Sequence, residues 1–453
     1  MDLHAFLQLC PKNITHFTFD TSSSSRHAMI MDRDYSIAPP PAKEPSLPQL
    51  QFTYLNLHAT LYRYEVDYIL QQCPQLRCLV FDSVKPYGHT MIHVIEACVQ
   101  LCPTLECLAW GRIRPDFVSH WKSKVSLPKR KATEREYICG LQEIVCGSFY
   151  HGGHSFTQML LAHRRTLRTV RLERLQNQPV DPWYPITPRH NVTFNHLQTI
   201  HIDNIHVNAE SLARWIYHCP QLEELSLHTV TADETSYWLD RVFQALGSSN
   251  ARLKRLHVTH DRFADSNNDA TSHTEDPIYN HLIQARHRLE SIRLSGNRLV
   301  TNAILEALTE KSNASTLKRV ALDYSATDNH RLDLTTDGMR AFAHNLHWEL
   351  DELGITEHQE DGLLTDELLM LLSSKVRRLS LKGCTKLTGD GLKAFIDHGH
   401  GNSLVSMQLV ECANIDESRN SVEYARTVLG QNNVQHVSSE RNADDDIVSF
   451  VYV

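Results

Sequence analysis

The chain has 453 residues, of which 41% are hydrophobic and 22% charged, as in an ordinary soluble globular protein. Its net charge of -8 argues against a nucleic-acid partner held by bulk charge, and no apolar run approaches the roughly 20 residues that span a membrane. This length exceeds one compact core, so it predicts several domains or an elongated repeat array.

The N-terminus and the cysteines indicate the compartment. Asp2 stands near the start and no basic region precedes an apolar stretch, so no signal peptide is predicted. Eleven cysteines, an odd number, are spread over the whole chain, in contrast to the dense disulfide framework of a small secreted domain. We therefore predict a reducing compartment, cytoplasmic and/or nuclear.

An apolar motif of the form Leu-x-x-Leu-x-Leu, with other apolar residues at the same positions, returns along the chain. Its spacing between residues 14 and 434 averages about 30 residues, which predicts a stack of repeated units. The units start at Ile14, Phe52, Leu76, Leu105, Leu141, Leu167, Leu197, Leu222, Leu253, Leu289, Leu317, Leu350, Val376, Leu404 and Val434.

Segments with helical periodicity lie between these short strands. "ESLARWIYHCPQL" places Leu212, Trp215, Ile216 and Cys219 on one face of a helix. "TDELLMLLSSKV" begins with Thr365, which we predict as an N-cap. Each repeat is therefore predicted as strand, turn, helix and return. Stacking then buries the apolar face that a single unit would leave in water.

The sequence of the turn and helix at residues 381–396 resembles the repeat of a known protein family. "LKGCTKLTGDGLKAFI" has Cys384 in the turn and Leu387 and Leu392 leading into the helix, and "LVECANIDES" repeats the turn with Cys412. The chain thus resembles the ribonuclease-inhibitor-like leucine-rich-repeat superfamily, and within it the repeat region of F-box/leucine-rich-repeat proteins. The resemblance implies an α/β horseshoe of about 14 repeats, with a concave parallel sheet and convex helices.

We assign the repeat array to residues 1–439 and a C-terminal tail with a short terminal strand to residues 440–453. The first insertion is rich in Ser and Pro, the second is basic and the third is acidic and polar. The basic run at 129–131 is either a nuclear-import signal or part of a solvated loop. The insertions that break the period are 21–48, 112–136 and 261–277.

Four prolines, at Pro11, Pro74, Pro103 and Pro220, directly follow a cysteine. In one interpretation the cysteine closes the buried face of a helix and the proline ends it. In the other, the cysteines bind zinc, and the two candidate sets would be Cys73/Cys78 and Cys98/Cys102/Cys107. The first interpretation is favoured, because paired C-x-x-C or Cys/His spacings of the usual zinc sites are missing from the sequence.

The sequence contains 28 histidines, and "HGGH" (151–154) and "DHGHG" (397–401) are candidate metal sites. We interpret both as solvated histidines in glycine-rich loops. H-E-x-x-H, G-x-S-x-G, Walker A and Rossmann glycine motifs are all missing from the sequence. The sequence therefore predicts a protein that is not an enzyme, with no catalytic, cofactor-binding or metal-binding residues.

In the predicted horseshoe, the residue between the last two apolar positions of each strand faces the concave groove. This column reads Asn56, Val80, Ala109, Val145, Arg171, His201, Ser226, His257, Arg293, Ala321, Gly354, Ser380 and Gln408. Flanking positions add three arginines and five acidic residues, which are Arg255, Arg319, Arg378, Glu173, Asp203, Glu224, Asp323 and Glu352.

A protein partner, with an acidic or phosphorylated peptide bound by arginine donors, is our prediction for this face. The alternative is that mixed charges only keep an exposed sheet soluble. The predicted partner-binding residues are Arg171, His201, Ser226, Arg255, His257, Arg293, Arg319 and Arg378.

The resemblance implies a non-catalytic interaction module, the substrate-recognition part of an SCF-type ubiquitin ligase. A Skp-type adaptor would bind an F-box, but no F-box is visible and Met1 opens partway through a repeat. Either an F-box lies upstream of Met1, and an adaptor is expected only then, or a divergent homologue has lost it. One alternative is a free-standing repeat scaffold. The other is a GTPase-activating protein of the Ran-activator type, which only "IRLSGNRL" (292–299) resembles.

Overall fold

A computed structural model describes most of the repeat strands and their helices. The chain divides into two compact units, Met1–Arg252 and Leu253–Val453. The described residues are 14–20, 49–58, 63–82, 98, 101–111, 115–126, 140–147, 153–173, 192–232, 238–249, 252–259, 289–296, 299–309, 316–324, 334–357, 362–400, 404–416 and 419–437.

The first unit contains an all-parallel sheet in which eight described strands pair in chain order. These strands are β1 (His16–Asp20), β2 (Tyr54–His58), β3 (Cys78–Asp82), β4 (Cys107–Gly111), β5 (Glu143–Gly147), β6 (Thr169–Glu173), β7 (Thr199–Asp203) and β9 (Glu224–His228). Two short strands, β8 (His206–Val207) and β10 (Thr231–Ala232), pair separately. Its described helices are α1 (Arg63–Gln72), α2 (Pro115–Ser126), α3 (Gly153–Ala162), α4 (Ala209–Tyr217) and α5 (Trp238–Ser248).

The second unit has seven described strands, which are also parallel and pair in chain order. They are β11 (Arg255–Thr259), β12 (Ser291–Ser295), β13 (Arg319–Tyr324), β14 (Glu352–Glu357), β15 (Arg378–Lys382), β16 (Ser406–Val410) and β17 (Val434–Val437). Its described helices are α6 (Asn302–Thr309), α7 (Thr336–Asn345), α8 (Asp366–Leu372), α9 (Gly389–His400), α10 (Ala413–Asp416) and α11 (Arg419–Leu429), followed by a 3-10 turn (Gln431–Asn433).

Buried and half-buried residues alternate along the strands, which shows which face of the sheet packs into the core. In β6 and β7 the second and fourth residues are buried and the others are half-buried. Val170, Leu172, Ile200 and Ile202 are fully buried in this way. Successive residues of a strand point to opposite faces, so this pattern packs one face of the sheet into a core. Burial of each such side chain contributes roughly 1.5–3 kcal/mol to the free energy of unfolding.

The predicted α/β class is confirmed, and each unit has an all-parallel sheet with intervening helices, as the repeat motif predicted. Parallel strands need a crossover connection, and the described helices lie in several of these connections. This arrangement is compatible with a solenoid. The horseshoe shape, the number of repeats and the single array over 1–439 stay predictions. The insertions 21–48 and 261–277, the basic run 129–131 and the tail 440–453 lie outside the described residues.

The described Cys-Pro pairs lie at helix ends. This confirms, for these pairs, the interpretation that the cysteine is buried and the proline ends the helix. Cys73, Cys102 and Cys219 are at most 2% exposed. In each case the cysteine carbonyl accepts a hydrogen bond from the N–H of the leucine three residues later, over 3.0–3.1 Å. Proline cannot donate a helical hydrogen bond, so the chain leaves the helix and turns toward the next strand. The pair at Pro11 lies outside the described residues.

Helix starts and ends follow the local sequence in most cases. Thr365 is the N-cap of α8 as predicted, and its hydroxyl accepts from the Leu368 N–H over 3.4 Å. The loop predicted around 397–401 is wrong, because His398 belongs to the last turns of α9. A β-carbon at Gly399 would lie 2.9 Å from the Ser373 carbonyl oxygen, so glycine lets this helix pack closely on its neighbour.

Burial makes the cysteine thiols weak acids. It raises the pKa of the Cys102 thiol from 9.0 to about 12, and the pKa values of the Cys98 and Cys219 thiols also lie well above the ordinary value. The neutral thiol is therefore favoured by folding. Its contribution to stability is complete below pH 9 and is lost as the pH rises from 9 toward 12.

We expect Cys102→Ala to flatten the alkaline loss of stability. In the unmodified protein the Cys102 thiol contributes a decline of up to roughly 1.4 kcal/mol per pH unit above pH 9, and the variant lacks that contribution. Urea unfolding at intervals from pH 8 to about 11 measures the difference in slope. Equal slopes would contradict the burial of this thiol. Native alkylation at pH 8 with peptide mapping provides a control: Cys73, Cys102 and Cys219 react only after unfolding.

Candidate protein-interaction face

The sheet of each unit has a face opposite the leucine core. In the strands from β1 to β16 that belong to these sheets, the first, third and fifth residues form this face; in β17, where Val434 is aligned with the core residue Met407, Gln435 and Val437 do. We call this the open face. Parallel register aligns equivalent residues of neighbouring strands, for example Val145 with Arg171 and Arg171 with His201. Neighbouring strands lie about 4.8 Å apart, so a row of such residues forms a fixed array of side chains.

Helix α2 covers the open face of β2–β5 in the first unit. The Trp121 side chain is fully buried there, with Val118 packed beside it. The strand residues in this cluster occupy first and third positions, so all of them belong to the open face. They are Tyr54, Cys78, Val80, Cys107, Ala109 and Val145.

Polar contacts hold the same helix on the sheet. The Trp121 Nε1–H donates to Glu143 Oε2 over 2.9 Å. His16 Nε2 contacts the Lys122 carbonyl oxygen at 3.3 Å, and Lys122 Nζ lies 5.8 Å from the centre of the Tyr54 ring. Strands β1, β2 and β5 therefore all contribute to the seat of α2.

Two expectations for this region are wrong. Residues 115–126 form a helix, whereas the basic insertion 112–136, which breaks the repeat period, was expected to be a solvated loop over its whole length. Val80, Ala109 and Val145 were expected to face an open groove and are instead at most 5% exposed. Asn56, from the same predicted column, is 3% exposed. Val80, Ala109 and Val145 lie on the open face as predicted, but Trp121 of α2 packs on them and buries them.

Beyond β5 the open face of the first unit changes from apolar to polar. Arg171 and His201 are half-buried, while Ser226 is only 1% exposed. His201 Nε2 lies 3.7 Å from Glu173 Oε1, and the rings of His201 and His228 are 5.6 Å apart. Of the predicted binding residues in this unit, Arg171 and His201 are thus placed on the open face with accessible surface, and Ser226 is covered.

The second unit brings three predicted arginines onto adjacent strands. Arg255 and Arg319 are both aligned with Ser291, one strand to either side, so they stand two strands apart. Arg293 lies on the strand between them, at the next position of the open face. All three are half-buried. We call Arg255, Arg293 and Arg319 the basic patch; Glu352 is aligned with Arg319 on the next strand and borders it. Guanidinium groups bind carboxylates and phosphates.

The remaining predicted residues flank the basic patch. His257 is aligned with Arg293, and Arg378 is exposed at the start of β15. Beside the patch, Ala321 and Gly354 are adjacent on β13 and β14 and carry little or no side chain.

A polar pocket of about 450 Å³ lies where α2 ends on the first unit's sheet. Gln142, Arg168 and Gln198 directly precede β5, β6 and β7, so they occupy the same level of three successive repeats. Backbone hydrogen bonds of 2.7–2.8 Å from the Arg168 and Gln198 N–H groups fix that level. The pocket is lined by His120, Lys124, Gln142, Glu143, Arg168, Thr169, Arg171 and Gln198.

A buried carboxylate in the second unit has a structural explanation. Glu357 is 1% exposed and accepts hydrogen bonds of 2.8 Å from the N–H groups of Leu363 and Leu364. The Tyr324 hydroxyl also donates to it, and burial together with the Glu357 charge raises the pKa of Tyr324. These contacts hold the turn that leads into α8, a position that the sequence motifs did not single out.

Among the described residues, no three His, Cys, Asp or Glu side chains come together as a metal site. Cys73, Cys78, Cys98, Cys102 and Cys107, the candidate zinc ligands, are buried free thiols. Within the described ranges, no helix is both long and apolar enough to cross a membrane.

No protein-family model matches the chain, and no curated protein matches it with significant similarity.

We expect Trp121→Ala to release α2 from the open face. Loss of the buried indole and its hydrogen bond to Glu143 removes roughly 3–5 kcal/mol from the docking of this helix. The exposed apolar residues of β2–β5 should then bind the dye ANS, and residues 115–126 should become sensitive to protease.

Two variants serve as controls for this experiment. Ser123→Ala changes an exposed residue of the same helix and should alter stability by no more than about 0.5 kcal/mol. Trp121→Phe keeps an aromatic ring but loses the N–H donor, so it should give an intermediate effect. An unchanged dye signal in Trp121→Ala would contradict the docking.

Proposed function

We propose that the protein is a non-catalytic protein-interaction scaffold that binds a partner polypeptide on its open face. The docking of α2 in the first unit is the observation that carries this proposal. There the face accepts a helix of the chain itself, with Trp121 seated among side chains of successive strands. A surface that seats one helix by apolar contact and an indole hydrogen bond has the chemistry to bind another polypeptide.

The uncovered parts of the face favour an acidic or phosphorylated partner. Arg171 in the first unit and the basic patch in the second present guanidinium groups at positions fixed by strand pairing, beside carboxylates such as Glu173 and Glu352. Charge-assisted bonds from arginine are stronger than neutral hydrogen bonds and match the geometry of carboxylates and phosphates.

The resemblance to F-box/leucine-rich-repeat proteins supports a finer form of the proposal. In that form the scaffold recognises the substrate of an SCF-type ubiquitin ligase in the cytoplasm or nucleus. Recruitment of a Skp-type adaptor then requires an F-box in addition to the repeats. Affinity capture of the full-length protein from its own cells distinguishes the forms: Skp and cullin subunits support the ligase, a Ran-type GTPase supports the activator, and neither supports a free-standing scaffold.

Charge reversal of the open face tests the general proposal. We expect Arg171→Glu, Arg255→Glu and Arg293→Glu combined to reduce capture of specific partners by about tenfold or more, because like charges then oppose an acidic ligand. Quantitative mass spectrometry of captured proteins gives the comparison.

The matched control reverses three arginines on helices. Arg214 lies on α4, Arg340 on α7 and Arg426 on α11, so their combined change to Glu alters the net charge equally without touching the open face. Capture should persist in this control. If the open-face variant keeps its thermal transition and captures partners as the unmodified chain does, the proposal is wrong.

A further inference from the structure

We infer that the pocket at the end of α2 binds the phosphoryl group of a phosphorylated side chain on the partner. This inference depends on the proposed interaction function and names the chemistry of one contact. It follows from three observations on the first unit: the balance of charge in the pocket, the supply of donors, and the place where it opens.

The charge of the pocket favours an anion. Lys124, Arg168 and Arg171 are cationic at neutral pH, and Glu143 is the acidic lining residue. The Glu143 carboxylate already accepts the Trp121 indole N–H, so part of its hydrogen-bonding capacity is used within the protein. The remaining excess of positive charge is available to a ligand.

The hydrogen-bond donors exceed what a carboxylate needs. Two guanidinium groups, from Arg168 and Arg171, stand beside the amides of Gln142 and Gln198 and the hydroxyl of Thr169. The buried Arg171 Nε has no hydrogen-bond partner among the described residues. A phosphoryl group has three strong acceptor oxygens and a charge of about -1.5 to -2 at pH 7, which fits this set of donors better than a carboxylate does.

The position of the pocket favours a ligand carried on a polypeptide. Arg168 and Gln198 are exposed, so the pocket is reached from solvent at the start of β6 and β7. Arg171 belongs both to the pocket and to the uncovered open face that follows. A chain lying along β6 and β7 would therefore pass the pocket and place a side chain in it. Lys124, held 3.8 Å from the centre of the Trp121 ring, closes the side formed by α2.

Fluorescence anisotropy with the full chain tests the inference. The probe is a labelled peptide library with a fixed central phosphoserine and degenerate flanks, compared with the same library after dephosphorylation. We expect the phosphorylated library to bind about tenfold more tightly or better, and Arg168→Ala and Arg171→Ala each to remove about tenfold of that affinity. Equal binding of the two libraries would overturn the inference, and so would full affinity in both variants.

The controls address folding and the source of the phosphoryl group. Arg165→Ala removes an exposed arginine three residues before Arg168 that does not line the pocket, and should bind as the unmodified chain does. Arg168 is exposed, so its variant should keep the thermal transition of the parent protein. Inorganic phosphate is added as a competitor. Displacement of the peptide at phosphate concentrations no higher than those of the peptide itself would assign the pocket to a free anion and overturn the polypeptide source.

The outcomes separate this inference from the proposed function. If the phosphorylated library fails to bind while the charge-reversed open face still abolishes partner capture, only the phosphoryl pocket is wrong. If the library binds through Arg168 and Arg171 while partner capture is insensitive to Arg255 and Arg293, the pocket stands and the wider binding face does not.

Discussion

Hydrogen bonding between successive parallel strands is the constraint on which both units depend. A five-residue strand cannot satisfy its backbone or bury its leucines alone, so each repeat needs its neighbours. The pairing also fixes where polar side chains stand: once Arg171 is aligned with His201, and Arg293 with His257, their spacing is set by the backbone. Binding chemistry on the open face is therefore preorganised by the same bonds that hold the fold, and substitutions there need not disturb the core.

The same sheet serves two different purposes in the first unit. Over β2–β5 its open face is apolar and is used internally, because α2 is seated on it through Trp121. From β6 onward the face carries charged and polar side chains. The change occurs at the pocket, where Glu143 bonds to the helix and Arg171 faces the uncovered strands. The pocket therefore lies between the part of the sheet that packs against α2 and the part proposed to bind a partner. His120 and Lys124 of α2 line one side of it.

Much of the fold could be predicted because its signals are local. The leucine spacing located the strands, the Cys-Pro pairs located helix ends, and Thr365 was recognised as a cap by its own side chain. The seat of α2 could not be predicted in this way, since it joins residues from separate repeats. Two signals were present: the near-continuous apolar strands "CLVFD" and "CLAWG", typical of sheets buried on both faces, and the helical spacing of Val118 and Trp121. The pocket has no linear motif, because its lining is assembled from three strand starts and a helix.

The origin of α2 in the connection between β4 and β5 has a consequence for how such a protein changes over time. The strands and their leucines fix the platform, whereas the length and sequence of a single connection determine how much of the platform is shielded. Lengthening, shortening or replacing that one segment would expose or conceal a different set of strand residues, and no hydrogen bond of the sheet would have to change. New specificities are thereby accessible through variation of this connection on an unchanged scaffold, because the residues that determine the fold lie elsewhere in the sequence.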